Sequence, residues 1–264
     1  MINTIYITRL EEIMELIFDQ EYDGRIDRHR SPFLYRGLPC EYPLKTSLQR
    51  NCKHKSQMVE SSILRNFSKY ADSMDLQEKS IWYQMAIGQH YGLPTRLLDW
   101  TYSPLMALHF ATSVENMESM DTENACIWKI NIAEQNRELP DEYRMCLEKE
   151  NAYLFTIPML SSLVTTLEKY DSDMGDSRFV LLEPPSIDQR IINQYSYFSI
   201  MPSGIQDIEA MLEEQVPTNI KYIISKDLKW RLRDMLDQMN INERIAFPGL
   251  DGLSRWMKRH YYVE

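Results

Sequence analysis

At 264 residues, with 44 % apolar and 26 % charged side chains and a net charge of −10, the chain has the composition of an ordinary globular protein. It is long enough for one large domain or two small ones. No run approaches the roughly 18 apolar residues of a membrane span. Glu11, Glu12 and Glu15 break the N-terminal segment as a signal-peptide core, so a cytoplasmic protein without membrane partners is expected.

In chain order, Ile5, Leu10, Ile13, Leu16 and Ile17 predict a helix across residues 5–19, with Thr8 as a cap. Residues 33–37 read as a short strand ended by Gly37. Residues 56–87 have a helical pattern, with Ile63, Phe67, Tyr70, Trp82, Met85 and Ala86 as the buried positions. His90 to Thr101 reads as a polar loop. Asp99-Trp100-Thr101 then leads into a helix capped by Ser103, with Pro104 in its first turn. Strands are predicted at 125–132, 178–183, 195–200 and 221–225, and helices at 205–214, 227–239 and from Leu253 onward. Residues 115–124 and 169–177 are rich in Asp, Glu, Ser and Met and read as exposed loops. The resulting class is α+β: helices mostly in the first half, and a mainly antiparallel sheet built from strands far apart in sequence.

Four cysteines, Cys40, Cys52, Cys126 and Cys146, lack any zinc-like spacing, which predicts reduced thiols and no metal site. Sixteen methionines read as adaptable core filler. The acidic balance argues against broad capture of nucleic acid, which relies on Lys and Arg against phosphates, but leaves room for a local basic groove. Lys45, Arg50, Lys53, His54 and Lys55 form one basic cluster, and Lys226, Lys229, Arg231 and Arg233 another. Both read first as solvated faces.

The block GQHYGLPTRLLDWTYSPLMALHFA at 88–111 is the densest in polar chemistry, with His90, Tyr91, Thr95, Arg96, Asp99 and Trp100 close together before an apolar helical run. A buried polar group without a partner costs about 1–3 kcal/mol, so a core segment has no need of that density. No phosphate-binding glycine loop, nucleophile elbow or zinc-protease helix occurs. What remains is Arg36 at a strand end, the polar block, and the later pair Arg190 and Gln194. Each has a structural alternative. Arg36 can pair with Asp99, His90 can be a hydrogen-bonded core histidine, and Tyr91 and Trp100 can be packed aromatics. Asp99 can be a turn or helix-start residue, and Gln194 can cap backbone groups beside a strand edge.

Tyr35-Arg36-Gly37, the 88–111 block, Arg190-Ile191 with Gln194 and Phe198, and FPGLDGL at 247–253 together resemble the FRG domain, a family of bacteria and phages. The resemblance runs from about residue 33 to 258. It implies one domain over residues 1–264, with a core at about 30–258 and the 5–19 helix as an extension. A more distant resemblance links the same order of residues to ADP-ribosyltransferases. It implies a mixed, mainly antiparallel sheet with an N-terminal helical portion, and NAD as substrate without a metal. Arg36 and Gln194 would then be catalytic, Gln194 standing where that superfamily usually has Glu, with Asp99 or Glu183 as alternative carboxylates. Tyr35, Arg36, Gly37, His90, Tyr91, Thr95, Arg96, Asp99 and Trp100 would form the NAD pocket, Tyr91 or Trp100 stacking on the nicotinamide.

The same resemblance implies a bacterial toxin, in phage defence or a toxin–antitoxin pair, modifying RNA or DNA in preference to protein and held in check by an antitoxin protein. A non-catalytic NAD or nucleotide sensor is the alternative, and an interaction domain in which the polar block only holds the fold is a third. A nucleic-acid acceptor predicts that Lys45–Lys55 lies beside the pocket.

Overall fold

The computed structural model describes residues 3–71 and 76–263. The first half comprises β1 (Asn3–Ile7), α1 (Ile13–Ile17), β2 (Glu21–Asp23), β3 (Arg28–Arg30), β4 (Phe33–Leu38), α2 (Ser47–Cys52), α3 (Ser56–Tyr70), α4 (Ile81–His90), β5 (Leu97–Thr101), α5 (Pro104–Ala111) and β6 (Ala125–Asn131). The rest comprises α6 (Ile132–Arg137), α7 (Asp141–Glu150), α8 (Ile157–Leu163), α9 (Leu167–Met174), β7 (Val180–Leu182), α10 (Gln189–Gln194), β8 (Ser196–Ile200), α11 (Ile208–Gln215), β9 (Ile220–Ile224), α12 (Lys229–Gln238), α13 (Glu243–Ala246) and α14 (Leu250–His260).

The fold is mixed α+β around a seven-stranded sheet in the order β1-β9-β6-β4-β5-β8-β7; β2 and β3 form a separate hairpin. All pairs in the large sheet are antiparallel except β1–β9. Strand β6 is buried at every position because both its faces are covered. Cys126, Trp128 and Ile130 enter one core with α11, while Ala125 and Ile127 enter another with α1, α5 and α12. Around β7 and β8 a third core gathers side chains of α4, α7, α8 and α9.

The sheet is not uniformly closed. β4 shares six residue pairs with β6, and β5 shares five with β8, but β4 and β5 meet only at Tyr35–Thr101. Beyond that pair the two central strands diverge, leaving Arg36, Gly37 and Leu38 without a strand partner on the β5 side. Backbone polar groups at such an opening need other partners, and the Asp99 carbonyl finds one in the Arg36 side chain.

Several sequence expectations change. Residues 5–7 belong to a strand, not to an N-terminal helix, with Tyr6 opposite Ile223 and Ile7 opposite Ile224. The helical portion there shrinks to a 3-10 turn at Leu10–Glu12 and α1, and Glu12 reaches back to accept from the backbone N–H groups of Thr8 and Arg9. The polar block does not stay a loop: 97–101 is the central strand β5, so Asp99 is a strand residue. Ser103 caps α5 as expected, its Oγ accepting from Met106 N at 3.2 Å.

The 56–87 helix divides into α3 and α4, and residues 72–75 lie outside the described part. The buried face of α3 is Glu60, Leu64 and Ser68; Tyr70 is exposed, and Ile63 and Phe67 are half-buried. Residues 167–174 form α9, not a loop, because Leu167, Tyr170 and Met174 share a buried face.

Gly37 is required by packing. A Cβ at this position would lie 1.9 Å from the Ala107 carbonyl oxygen of α5. The missing side chain is what lets α5 come this close to β4. We expect Gly37→Ala to destabilise the fold by about 3 kcal/mol, since overpacking against backbone has no easy relaxation, as measured by urea denaturation. An unchanged midpoint would contradict the close approach.

Candidate functional site in the split sheet

A cleft of about 380 Å³ occupies the opening between β4 and β5, with Arg36, Gly37, Gln89, Asp99, Arg190 and Gln194 among its lining residues. Arg36 leaves β4 just past the last shared pair and crosses the gap. Its Nη1 donates to the Asp99 carbonyl at 2.6 Å and approaches the Asp99 carboxylate at 3.5 Å. The side chain is 14 % exposed, and its buried Nε has no partner among the described residues. The alternative in which Arg36 pins Asp99 is therefore realised, and the guanidinium still borders the cleft.

Asp99 is the one carboxylate among the lining residues, and its side chain is 55 % exposed. Gln89 of α4 holds it, with Nε2 at 3.0 Å from both oxygens. Gln89 is held in turn by Thr95, whose Oγ1 donates to Gln89 Oε1 at 2.6 Å. Thr95 is buried, and its N–H donates to Ser47 Oγ at the start of α2 at 3.0 Å. It supports the cleft from behind and does not line it.

The opposite wall comes from α10, with α13 packed behind it. Asp188 caps α10, accepting from Ile191 N at 3.1 Å, and its other oxygen lies 2.6 Å from His90 Nε2. Arg190 lies over the Phe247 ring at 5.0 Å, which also receives Arg255 at 4.8 Å. Gln194 lines the cleft four residues on, and its Nε2 donates to the Ala246 carbonyl at 2.8 Å. Its Oε1 makes no hydrogen bond with the described residues. Tyr195 then takes a left-handed turn, φ +50°, and β8 follows from Ser196.

Of the sequence-derived candidates, Tyr35, Arg36, Gly37, Asp99, Trp100 and Gln194 border this cleft. Trp100 does so from the core: its indole is buried, with Nε1 donating to Ser199 Oγ at 2.8 Å, so it is no stacking platform. The Tyr35 phenol is buried too, and burial pushes its pKa up.

His90 and Tyr91 stand behind α10, outside the lining. His90 pairs with Asp188, and Tyr91, 63 % exposed, meets the His90 ring edge-on. Arg96 points elsewhere. It is buried in ion pairs with Glu60 and Asp171, and it borders a second cavity. Glu183 is exposed and outside the cleft lining.

Gln89 and Phe110 lie inside the 88–111 block but are not among the residues the sequence singles out. The glutamine sits one residue before His90, and the packing of α4 against β5 brings it to Asp99. Arg50, at the end of α2, is also near: burial first, then the Arg36 charge, lowers its pKa.

Among the described residues no group of three or more His, Cys, Asp or Glu could hold a metal ion, and no helix is long and apolar enough to cross a membrane.

Residues 31–120 match the family model of the FRG domain. The matched segment runs from the start of β4 past α5, so it includes Arg36, Gln89 and Asp99 but not Arg190 or Gln194. Neither a curated protein nor a solved structure matches the chain.

Proposed function

We propose that the split-sheet cleft binds NAD and that the protein transfers its ADP-ribose to a macromolecular acceptor. The observation that carries this is the meeting of Arg36 of β4, Asp99 of β5, and Arg190 and Gln194 of α10 in one cleft. Two guanidinium groups suit a diphosphate, which planar donors hold better than ammonium groups do. A volume of about 380 Å³ is at the low end of ligand pockets, so it suits the nicotinamide mononucleotide half of NAD better than the whole dinucleotide.

The chemistry follows from that set. The bond between nicotinamide and ribose C1′ breaks, and nicotinamide leaves with the electron pair. The ribose becomes oxocarbenium-like, and an acceptor nucleophile bonds to C1′ and loses a proton. Positive charge grows on the sugar, so a fixed negative group helps the transition state more than the ground state. Arg36 and Gln194 serve as the catalytic pair, Gln194 through its free carbonyl oxygen, and Asp99 supplies the charge. This route needs no metal. By family analogy alone, the protein acts as a toxin in the bacterial cytoplasm, in phage defence or against a cognate antitoxin.

Gln194 in place of a carboxylate favours a second reading, a sensor that binds the nucleotide without cleaving it. Labelled NAD incubated with cellular RNA, DNA and protein separates the two. We expect label in one fraction, lost in Arg36→Ala and Gln194→Ala. Bound NAD with neither transfer nor nicotinamide release would establish the sensor instead.

A further inference from the structure

On the far side of α2 lies a second cavity of about 440 Å³, and its two walls differ in character. The deep wall is electrostatically complete. Buried Arg96 pairs with Glu60 and Asp171, Asp171 accepts from the Ser203 hydroxyl at 2.7 Å, and Ser203 Oγ accepts from Gln57 Nε2 at 2.7 Å. The rim is the opposite. Lys45, Lys53 and His54 line it, with Lys55 flanking them in sequence, and none makes an ion pair with the described residues.

Lys53 is also strained, with φ +52° and ψ −130°. Only glycine is at ease there, and a side chain costs on the order of 1–3 kcal/mol. The Lys53 side chain is exposed and lines the cavity. Arg50 of α2 donates to the Lys45 carbonyl at 2.5 Å, and Ser47 at the start of the same helix accepts from Thr95 N, whose side chain holds Gln89 and through it Asp99. The cations thus run from the second cavity around α2 towards the cleft.

We propose that this rim binds the phosphodiester backbone of a single-stranded nucleic acid beside the cleft; delivery of a base to ribose C1′ rests on the transferase reading, binding of the strand does not. A nucleic-acid strand carries one charge per nucleotide in a continuous line, which suits cations spread along a path. An acidic peptide has charge only where its sequence supplies it. The cavity has room for a nucleotide or two but not a duplex, and a base must leave its stack before a pocket can act on it. With a chain charge of −10, attraction is local to the rim.

The test is fluorescence anisotropy with labelled 20-nucleotide DNA and RNA single strands and a DNA duplex, without NAD. We expect single strands to bind best, with a log–log salt slope of about −2 to −3 for three or four contacts. DNA against RNA affinity then names the source. The triple variant Lys45→Ala, Lys53→Ala, Lys55→Ala should lose at least about tenfold in strand affinity, with NAD affinity and nicotinamide release unchanged. Lys53→Gly should raise Tm while weakening strand binding, which separates charge from folding. Preference for the duplex, no strand binding, or full affinity in the triple variant would overturn the proposal. Strand binding without NAD binding would sink the transferase reading and leave this surface standing.

Discussion

Lowering the pH from 6.5 to 4 is expected to cost the folded protein about 3 kcal/mol, mostly through His109. This histidine of α5 is fully buried, and its Nδ1 lies 2.8 Å from Arg233 Nη1. Arginine only donates, so Nδ1 is the acceptor and the ring proton sits on Nε2. Burial above all, then the Arg233 charge, brings the His109 pKa down from 6.5 to about 3. Between those values the unfolded chain takes a proton that the folded one refuses. Stability is therefore fully present above about pH 6.5 and falls by about 1.4 kcal/mol for each unit below it.

The other charges facing His109 do not cancel this. Arg233 and Arg259 remain cationic throughout, and Glu243 bonds to both, at 3.0 and 2.7 Å. Burial pushes the Glu243 carboxyl up, but the Arg259 hydrogen bond and the two arginine charges outweigh it and bring it to about 2. Its contribution is present above about 4.5 and lost only as pH falls from there towards 2, below most of the His109 window. Urea midpoints at pH 7, 5.5 and 4.5 would show the slope, and His109→Gln, which keeps an acceptor for Arg233, should flatten it. The same slope in the variant would clear His109 of the role. Because Gly37 of β4 rests against α5, acid should loosen the wall of the cleft as the protein approaches its unfolding midpoint.

How far the sequence discloses this molecule varies by element. β4, β6, β8 and β9 were legible because β-branched and aromatic residues alternate between flanking turns. β5 was not: LLDWT is buried at four of five positions and follows a glycine- and proline-marked segment, so its strand character depends on pairing with β8. In β1, the period-two spacing of Ile5 and Ile7 runs straight into the helical spacing of Ile13 and Leu16, and only the pairing with β9 separates them. The order of motifs did bring Arg36, Asp99 and Gln194 towards one site. It carried no information on direction, and so Arg96, three residues before Asp99, was expected in the cleft. It lies instead in an ion pair with Glu60, thirty-six positions earlier. Polar density marked the right segment but not the side of the sheet to which each side chain turns.

On the proposed transferase reading, Asp99→Asn is expected to lower ADP-ribose transfer by about 10²–10³-fold while leaving the Tm and NAD affinity nearly unchanged. The argument begins with Gln194. Its amide nitrogen donates to the Ala246 carbonyl, and Asn193 beside it donates to the Ile245 carbonyl at 2.8 Å, so together they hold α13 against α10. Gln194→Glu would lose the first bond and set a carboxylate against a buried carbonyl, which costs about 1–3 kcal/mol. The glutamine is thus fixed by packing, and the charge that a developing oxocarbenium ion needs must come from elsewhere in the cleft. Asp99 is the carboxylate available there, steered by Gln89 and exposed on its open side. Asparagine keeps the shape and one acceptor but removes the charge, so the loss should fall on kcat with KM nearly constant. If Asp99→Asn keeps its rate while Gln194→Ala does not, the carboxamide oxygen carries the transition state and Asp99 serves only to hold Arg36.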